Sequence, residues 1–309
     1  MNVGIPHGIM LHHFSSEKHI TGQGAITGEE LKSIIKFYGK NRLVSANTWL
    51  EKAKNNTLND EICLTFDDAL LSQYEVALPI LESYGLTAFW FIYSSVLEGQ
   101  YEILEIYRKY RTSCFPTITD FYNAFFKLIS ESKFSASVSK SLRNYNKNSY
   151  LKQFSFYSDD DRKFRYIRDV SLGTKSYTEA MALMLKKDGI DISKFSEDLW
   201  LNKEHVVQLA EKGHVIGLHS HTHPTALSQL PASIQEDEYK KNNQVLSKLA
   251  NTKISTVAHP NNSYNQNTLQ ILENLGVKVG FCSNMSKSEH SSLEFPREDH
   301  SNIIKAITK

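Results

Sequence analysis

ICLTFDD (Ile62 to Asp68) and TAFWFIY (Thr87 to Tyr93), joined by Leu70 to Tyr84 and Gly85, carry the pattern that decides the fold. The first run is apolar, ends in two carboxylates and reads as a buried strand. Leu70 to Tyr84 spaces its apolar residues as a helix does and stops at Gly85, a residue that terminates helices. The second run is too apolar to be half exposed and reads as another strand. Strand, helix and strand in that order predict parallel βαβ units and hence an α/β fold.

Working outward, Gly8-Ile9-Met10-Leu11 reads as a strand. Thr27 and Glu30 form a capping-box pattern that opens a helix. Later, Asn202 to Lys212 reads as a helix stopped by Gly213, His214 to Leu218 as a strand, and Ser233 to Leu249 as a long amphipathic helix. Ile254 to Ala258 is a strand, Gln266 to Leu275 a helix closed by Gly276, and Val277 to Phe281 a further strand. From 99 to 200 the alternation stops. That stretch is rich in Tyr, Lys, Ser and Phe, with helical patterns near Tyr101–Arg111, Ile118–Ser130 and Tyr177–Lys187. Its charge run, Asp159 to Lys163, reads as a solvated turn or a helix start. The expected partition is 1–98 and 201–309 for the two parts of one α/β unit, with 99–200 a helical insertion that could cover the site.

The 309 residues suffice for one α/β barrel with an insertion or for two modest domains. Lys and Arg (35) nearly balance Asp and Glu (34), which argues against general affinity for nucleic acid or anionic membranes. No apolar run is long enough to cross a bilayer. The first residues lack the basic start and apolar segment of a secretory signal, so a cytoplasmic location is expected if they are the native start. Cys63, Cys114 and Cys282 are widely separated and are expected to be buried free thiols.

The chemistry gathers around Gly217-Leu218-His219-Ser220-His221-Thr222-His223-Pro224. Three imidazoles alternate with two hydroxyls, and His219 and His223 stand four residues apart, a spacing that suits two neutral imidazoles on one cation. A carboxylate at the end of the Ile62–Phe66 strand would complete a three-ligand site with positions open for water and substrate. The other carboxylate of the Asp67-Asp68 pair would be free to act as a base. Metal-assisted hydrolysis follows, with zinc the best match to two imidazoles and one carboxylate, and cobalt or nickel able to substitute. Ser220 and Thr222 are expected to orient the imidazoles rather than attack. His221 is expected beside them or exposed, and His214 to be structural. His259 suits packing and substrate contact equally.

The Thr65-Phe66-Asp67-Asp68 segment, with Pro79, Tyr84-Gly85 and Thr87 to Phe91, resembles the first motif region of NodB-type polysaccharide deacetylases, the carbohydrate esterase family 4 group. Gly213 to Gly217 leading into His219–His223 is similar to the family's second motif, and Ala258-His259-Pro260-Asn261 looks like its third. The resemblance leaves out the insertion. It implies a distorted (β/α) barrel of about seven parallel strands, with site residues at their C-terminal ends. It implies divalent-metal-dependent removal of an N-acetyl, sometimes O-acetyl, group from a sugar. By resemblance Asp68, His219 and His223 are the metal ligands and Asp67 is the base. Ile9 to Phe14 resembles the Tyr-His opening of circularly permuted members such as the poly-N-acetylglucosamine deacetylases. That alignment makes His12 the acid and His13 its neighbour, since His290 and His300 lack the family's apolar lead-in.

Three departures stand out. Ala69 replaces a common glycine, and Leu11 stands where the permuted members have tyrosine. Val257, Ala258 and His259 hold no arginine to pair with the base; Arg297, in Phe295-Pro296-Arg297-Glu298, is expected to supply that charge from another strand end. A backbone N–H near Asn261, past Pro260, is expected to join the metal in holding the oxyanion, and His13 and His259 to lie near substrate. The expected function is N-deacetylation of an amino sugar or surface-glycan precursor. The alternatives are a deformylase or O-deacetylase on a related sugar, hydrolysis of a non-sugar amide, and an inactive carbohydrate-binding barrel. Sugar identity and oligomeric state are not encoded in these motifs.

Overall fold

The computed structural model describes residues 4–22, 24–152, 157–286 and 291–308. Seven strands form one parallel sheet: β1 His7–Leu11, β2 Ile62–Asp67, β3 Phe89–Ile92, β4 Val215–Leu218, β5 Thr256–Ala258, β6 Val279–Phe281 and β7 Arg297–Asp299. Their spatial order is β6-β5-β4-β3-β2-β1-β7. The segment entering β7 turns back to β6: Phe281 bridges Phe295 in parallel, and the Phe295 N–H donates to Gly280 O at 2.8 Å. That contact brings the sheet's two edges together, and the architecture is the expected distorted, nearly closed (β/α) barrel. Gly280 makes it sterically feasible, because a Cβ there would lie 2.2 Å from the carbonyl oxygen of Leu293.

The near-continuous apolar runs follow from burial on both faces, as in all-parallel sheets. Alternation along β2 sends Ile62, Leu64 and Phe66 outward into the layer shared with the helices, where Leu31, Leu81, Trp90, Leu209 and Leu246 also pack. Cys63 points the other way and joins Phe89, Phe91, Val279 and Phe281 around Trp49, which the helix Ala46–Lys54 contributes. Thr65 and Asp67 share Cys63's parity, so the same alternation carries the Asp67 carboxylate to the inner face. The capping box at Thr27 and Glu30 is present and opens the helix Gly28–Arg42.

The chain folds into two compact units, residues 1–102 with 198–309, and residues Ile103–Glu197. The second is helical: Ile103–Ser113, Ile118–Glu131, Ser135–Leu142, Asp159–Tyr166, Gly173–Lys187 and Ile192–Phe195. Its core is aromatic, with Tyr107, Tyr110, Phe121, Phe125, Phe164 and Tyr177 buried. The charge run does begin a helix, capped by Ser158 with Asp161 closing the box, but Asp161 and Arg162 are buried rather than solvated. The Tyr122 hydroxyl donates to Asp161, which explains the carboxylate's place inside.

Other local expectations shift. The Leu70–Tyr84 helix is regular only over Leu78–Tyr84 and is preceded by a π-helical turn at Gln73–Ala77. The cause lies just after β2. Asp68 (φ 75°) and Ala69 (φ 53°) take left-handed conformations. Residues 69–71 are then tied to 199–201, with Leu201 N–H donating to Ala69 O and Leu71 N–H to Leu199 O. A glycine at position 69 would avoid the roughly 1 kcal/mol that a Cβ costs in this conformation. All three cysteines are free, but Cys114 is exposed, because it follows the last turn of a helix in the second unit. Among the described residues no helix is long and apolar enough to cross a membrane.

Candidate metal and acid–base site

Asp67 ends β2, Asp68 follows it, His12 comes just after β1, and His219 comes just after β4, so the parallel sheet delivers all four to one end. Asp68, His219 and His223 offer ligand atoms that lie within 4.8 Å of one another. The Nε2 atoms of His219 and His223 are 3.3 and 3.4 Å from the same oxygen, Asp68 Oδ1. His219 Nδ1 donates to Ala258 O at 2.8 Å, and this fixes its tautomer. The lone pair on Nε2 therefore faces a carboxylate oxygen, an arrangement that demands a proton or a cation between them. Two imidazoles and one carboxylate, with that tautomer held from behind, fit a zinc-type ion.

The electrostatics agree. Burial opposes charge on His219, but the bond from Asp68 and the charges of Asp67 and Asp68 outweigh it and raise the pKa. His223 goes the other way: burial, only partly offset by Asp68, lowers it to about 4 and keeps its ring neutral, as ligation requires. Burial also works against the Asp68 carboxylate, yet His223, His219 and His12 hold its pKa well below the ordinary range.

Asp67 is 2 % exposed, and its Oδ1 accepts from Arg297 Nη1 at 2.7 Å. Burial pushes its pKa up, and Arg297, with His219 and His12, overcomes that and holds it down. Arg297 stands at the start of β7, two strands away across β1, and its side chain reaches Asp67 over Gly8. A Cβ on Gly8 would come within 2.9 Å of Thr65 Cγ2 and 3.1 Å of Arg297 Cγ. Arg297 Nε donates to Cys282 O (2.7 Å) and Nη1 also to Thr65 Oγ1 (3.2 Å), so the guanidinium is fixed on several sides. His12 Nε2 lies 3.8 Å from Asp67 Oδ2 and 3.9 Å from Asp68 Oδ2, and its ring stacks on His13. Burial lowers the His12 pKa, with Asp68 and Asp67 pulling it back up.

Other expected residues take different places. Ser220 Oγ accepts from the His223 N–H and so holds the loop's main chain, and Thr222 Oγ1 donates to the Glu238 carboxylate at Oε1; neither hydroxyl bonds an imidazole. His221 is buried, with Nδ1 against Ser94 Oγ at 2.9 Å. His214 accepts the Ala88 N–H and is structural. His259 is 1 % exposed, donates from Nε2 to Leu293 O and stacks on Tyr264 at 4.0 Å, so its ring is packed among protein groups. Pro260 is buried, while Asn261 is exposed with φ 51°. His13 gives its carbonyl to the Ile26 N–H. His300 is buried between the carbonyls of Met10 and Gly24, away from an acid's task, and His290 lies outside the described residues.

Three positioning residues escaped the motifs. Asn242 accepts the His219 N–H and donates to Ile92 O, both at 2.9 Å. Its signal was legible: a polar residue on the buried face of Ala232–Ala250, in step with Gln235, Tyr239 and Leu246. Glu238 accepts the N–H groups of His221 and Thr222. Gln73, 1 % exposed, donates from Nε2 to His12 O (2.8 Å) and Asp67 O (2.5 Å), pinning two strand ends together. It sits in the π-helical turn, a distortion common at functional sites. Gln73→Leu is expected to lower kcat roughly tenfold to a hundredfold through misplacement of these two side chains. Metal content per chain should not change; an unaltered kcat would show that the clamp is dispensable.

Residues 168–280 match the family model described as polysaccharide deacetylase. The match includes His219, His223, His259 and Pro260. The fold is similar to that of the Streptococcus pyogenes deacetylase PplD solved with acetate: 16 % identity, TM-score 0.56, 99 % of each chain covered. It is also similar to IcaB from Ammonifex degensii (12 %, 0.54, 98 % of this chain and 97 % of that one). A de-N-acetylase from Aggregatibacter actinomycetemcomitans shares it too (12 %, 0.55, 98 % and 99 %). At these identities the likeness is one of fold. No curated protein sequence matches the chain. Over residues 168–280 the sequence is similar to the polysaccharide deacetylases, and the barrel is the fold shared with those solved structures.

Proposed function

We propose that this protein is a deacetylase that removes an N-acetyl group from an amino sugar, with a divalent metal at Asp68, His219 and His223, Asp67 as base and His12 as acid. The observation that carries the reading is the division of labour between adjacent carboxylates. Asp68 Oδ1 faces both imidazoles, while Asp67 Oδ1 is taken by Arg297. A bound ion would supply Lewis acidity, polarising the amide carbonyl and bringing its water's pKa toward neutrality.

The chain's own residues do the rest. Arg297 keeps Asp67 ionised in a buried setting and occupies Oδ1, which leaves Oδ2 to take a proton from water. His12 lies beside Oδ2 and is about a quarter exposed, with 27 % of its side chain accessible, so a sugar amine can reach its ring. An amine leaves poorly until protonated, and His12 is the group placed to donate that proton. Gln73 holds both main chains in register, and Asn242 steadies His219.

The test is acetate release by the purified protein from N-acetylglucosamine oligomers and from O-acetylated sugars. Stripping the metal with a chelator is expected to abolish turnover, and zinc or cobalt to restore it. No acetate from any N-acetylated sugar, with ligand binding intact, would favour the inactive carbohydrate-binding barrel. Preference for the O-acetylated set would move the reaction to ester cleavage.

A further inference from the structure

The helical unit Ile103–Glu197 carries seventeen Lys and Arg against eleven Asp and Glu, although the whole chain is only +1. Part of that excess gathers around one buried ring. The guanidinium carbons of Arg111 and Arg168 lie 5.6 and 5.9 Å from the Phe164 centroid, and Arg111 also lies 6.0 Å from that of Phe121. Arg165, one residue after Phe164, stacks 4.0 Å over Tyr157. Arg168 pairs with Asp169. Among the described residues, Arg111 and Arg165 have neither a carboxylate partner nor a hydrogen bond, and the Nε of each is buried without an acceptor. The hydroxyl of Tyr177, whose ring packs against Phe164, has no hydrogen-bond partner among the described residues either.

A buried guanidinium Nε without an acceptor is costly, because arginine keeps its charge at any physiological pH and its buried donors must be satisfied. Aromatic faces offset part of that cost, but they accept no N–H···O bond. Burial, and then the neighbouring charges of Arg168 and Arg165, lower the Arg111 pKa against the pull of Tyr177 and Tyr122. Arg111 and Arg165, each with a buried Nε that has no acceptor, lie near enough to influence one another electrostatically, and an oxyanion would offset the charge of both.

We propose that Arg111 and Arg165, with Arg168 and the Tyr177 hydroxyl, form a binding site for a phosphate-type anion within the helical unit. Planar guanidinium forks match phosphate oxygens bidentately, and these bonds are stronger than neutral ones. The site goes beyond deacetylation and does not depend on it.

The experiment is calorimetric titration of the full-length, chelator-treated protein with inorganic phosphate and pyrophosphate in chloride buffer. Metal removal keeps the anion from binding at Asp68, His219 and His223. Saturable binding with Kd below about 1 mM is expected. Arg111→Gln and Arg165→Gln should each weaken it about tenfold or more, and Arg111→Lys less. Arg165 is only half-buried, so its variant serves even if Arg111→Gln fails to fold. A parallel arm sediments the protein with phosphatidylglycerol vesicles. Arginine-dependent co-sedimentation assigns the anion to a lipid headgroup, and arginine-dependent binding of the soluble ions alone to a free phosphate. Absence of saturable binding in both arms, or binding that both glutamine variants retain, overturns the site.

Discussion

Asp67→Asn is expected to lower kcat by about 10²- to 10⁴-fold, the range a positioned general base supplies. The asparagine carbonyl can still accept from Arg297, which keeps the packing of the barrel's inner face, although the buried guanidinium loses its counter-charge and the variant is expected to be less stable than wild type. What is lost is the oxygen that takes a proton. Metal content should therefore stay at wild type, since Asp67 donates nothing to the Asp68, His219 and His223 triad. Steady-state acetate release alongside metal analysis checks both halves. Wild-type turnover in the variant would end the assignment of Asp67 as base, and loss of metal would make it a ligand instead.

Arg297→Met should be the more destructive change. Removing one partner of a buried ion pair leaves the other charge uncompensated, at a cost of about 3–5 kcal/mol. Chemical denaturation measures it. The pH behaviour carries a sign. In the wild type the Asp67 pKa is depressed, so its ion pair adds stability above the unfolded carboxylate pKa. That contribution is lost as pH falls through the folded value. Without Arg297, burial dominates and raises the pKa, so the acid limb of the activity profile should move to higher pH. The Asp67→Asn, Arg297→Met double variant should be less destabilised than Arg297→Met alone, because no charge is stranded. An acid limb that stays in place would show that Arg297 does not tune the base.

Much of this was readable in the chain because strand and helix periodicities are local. Ile62 to Phe66 and Thr87 to Tyr93 announce buried strands by composition, and the spacing of His219 and His223 marks the pair that the fold brings to Asp68 as a candidate cation site. What stayed hidden depends on neighbours distant in sequence. The π-helical turn at Gln73 was masked because its apolar spacing imitates a regular helix, and the segment at 199–201 that withholds residues 69–71 from that helix lies far downstream. His259 could not be divided between packing and contact, since the answer rests on the carbonyl of Leu293 and the ring of Tyr264. The hydroxyls of Ser220 and Thr222 were assigned to the imidazoles because only the loop itself was in view; Glu238 redirects one of them.

One neighbour relation joins Asp67 to a segment far along the chain. β1 lies between β2 and β7, so an early-translated strand shares its edges with one made near the opposite end of the chain. Ribosomal output reaches the Asp67 segment well before the Arg297 segment. Until the later piece docks, interring that acid means stranding a negative charge, so the nascent barrel gains from leaving it wet. Proteolytic nicking ahead of Phe295 would return a mature molecule to that unarmed condition with its cation ligands still encoded upstream.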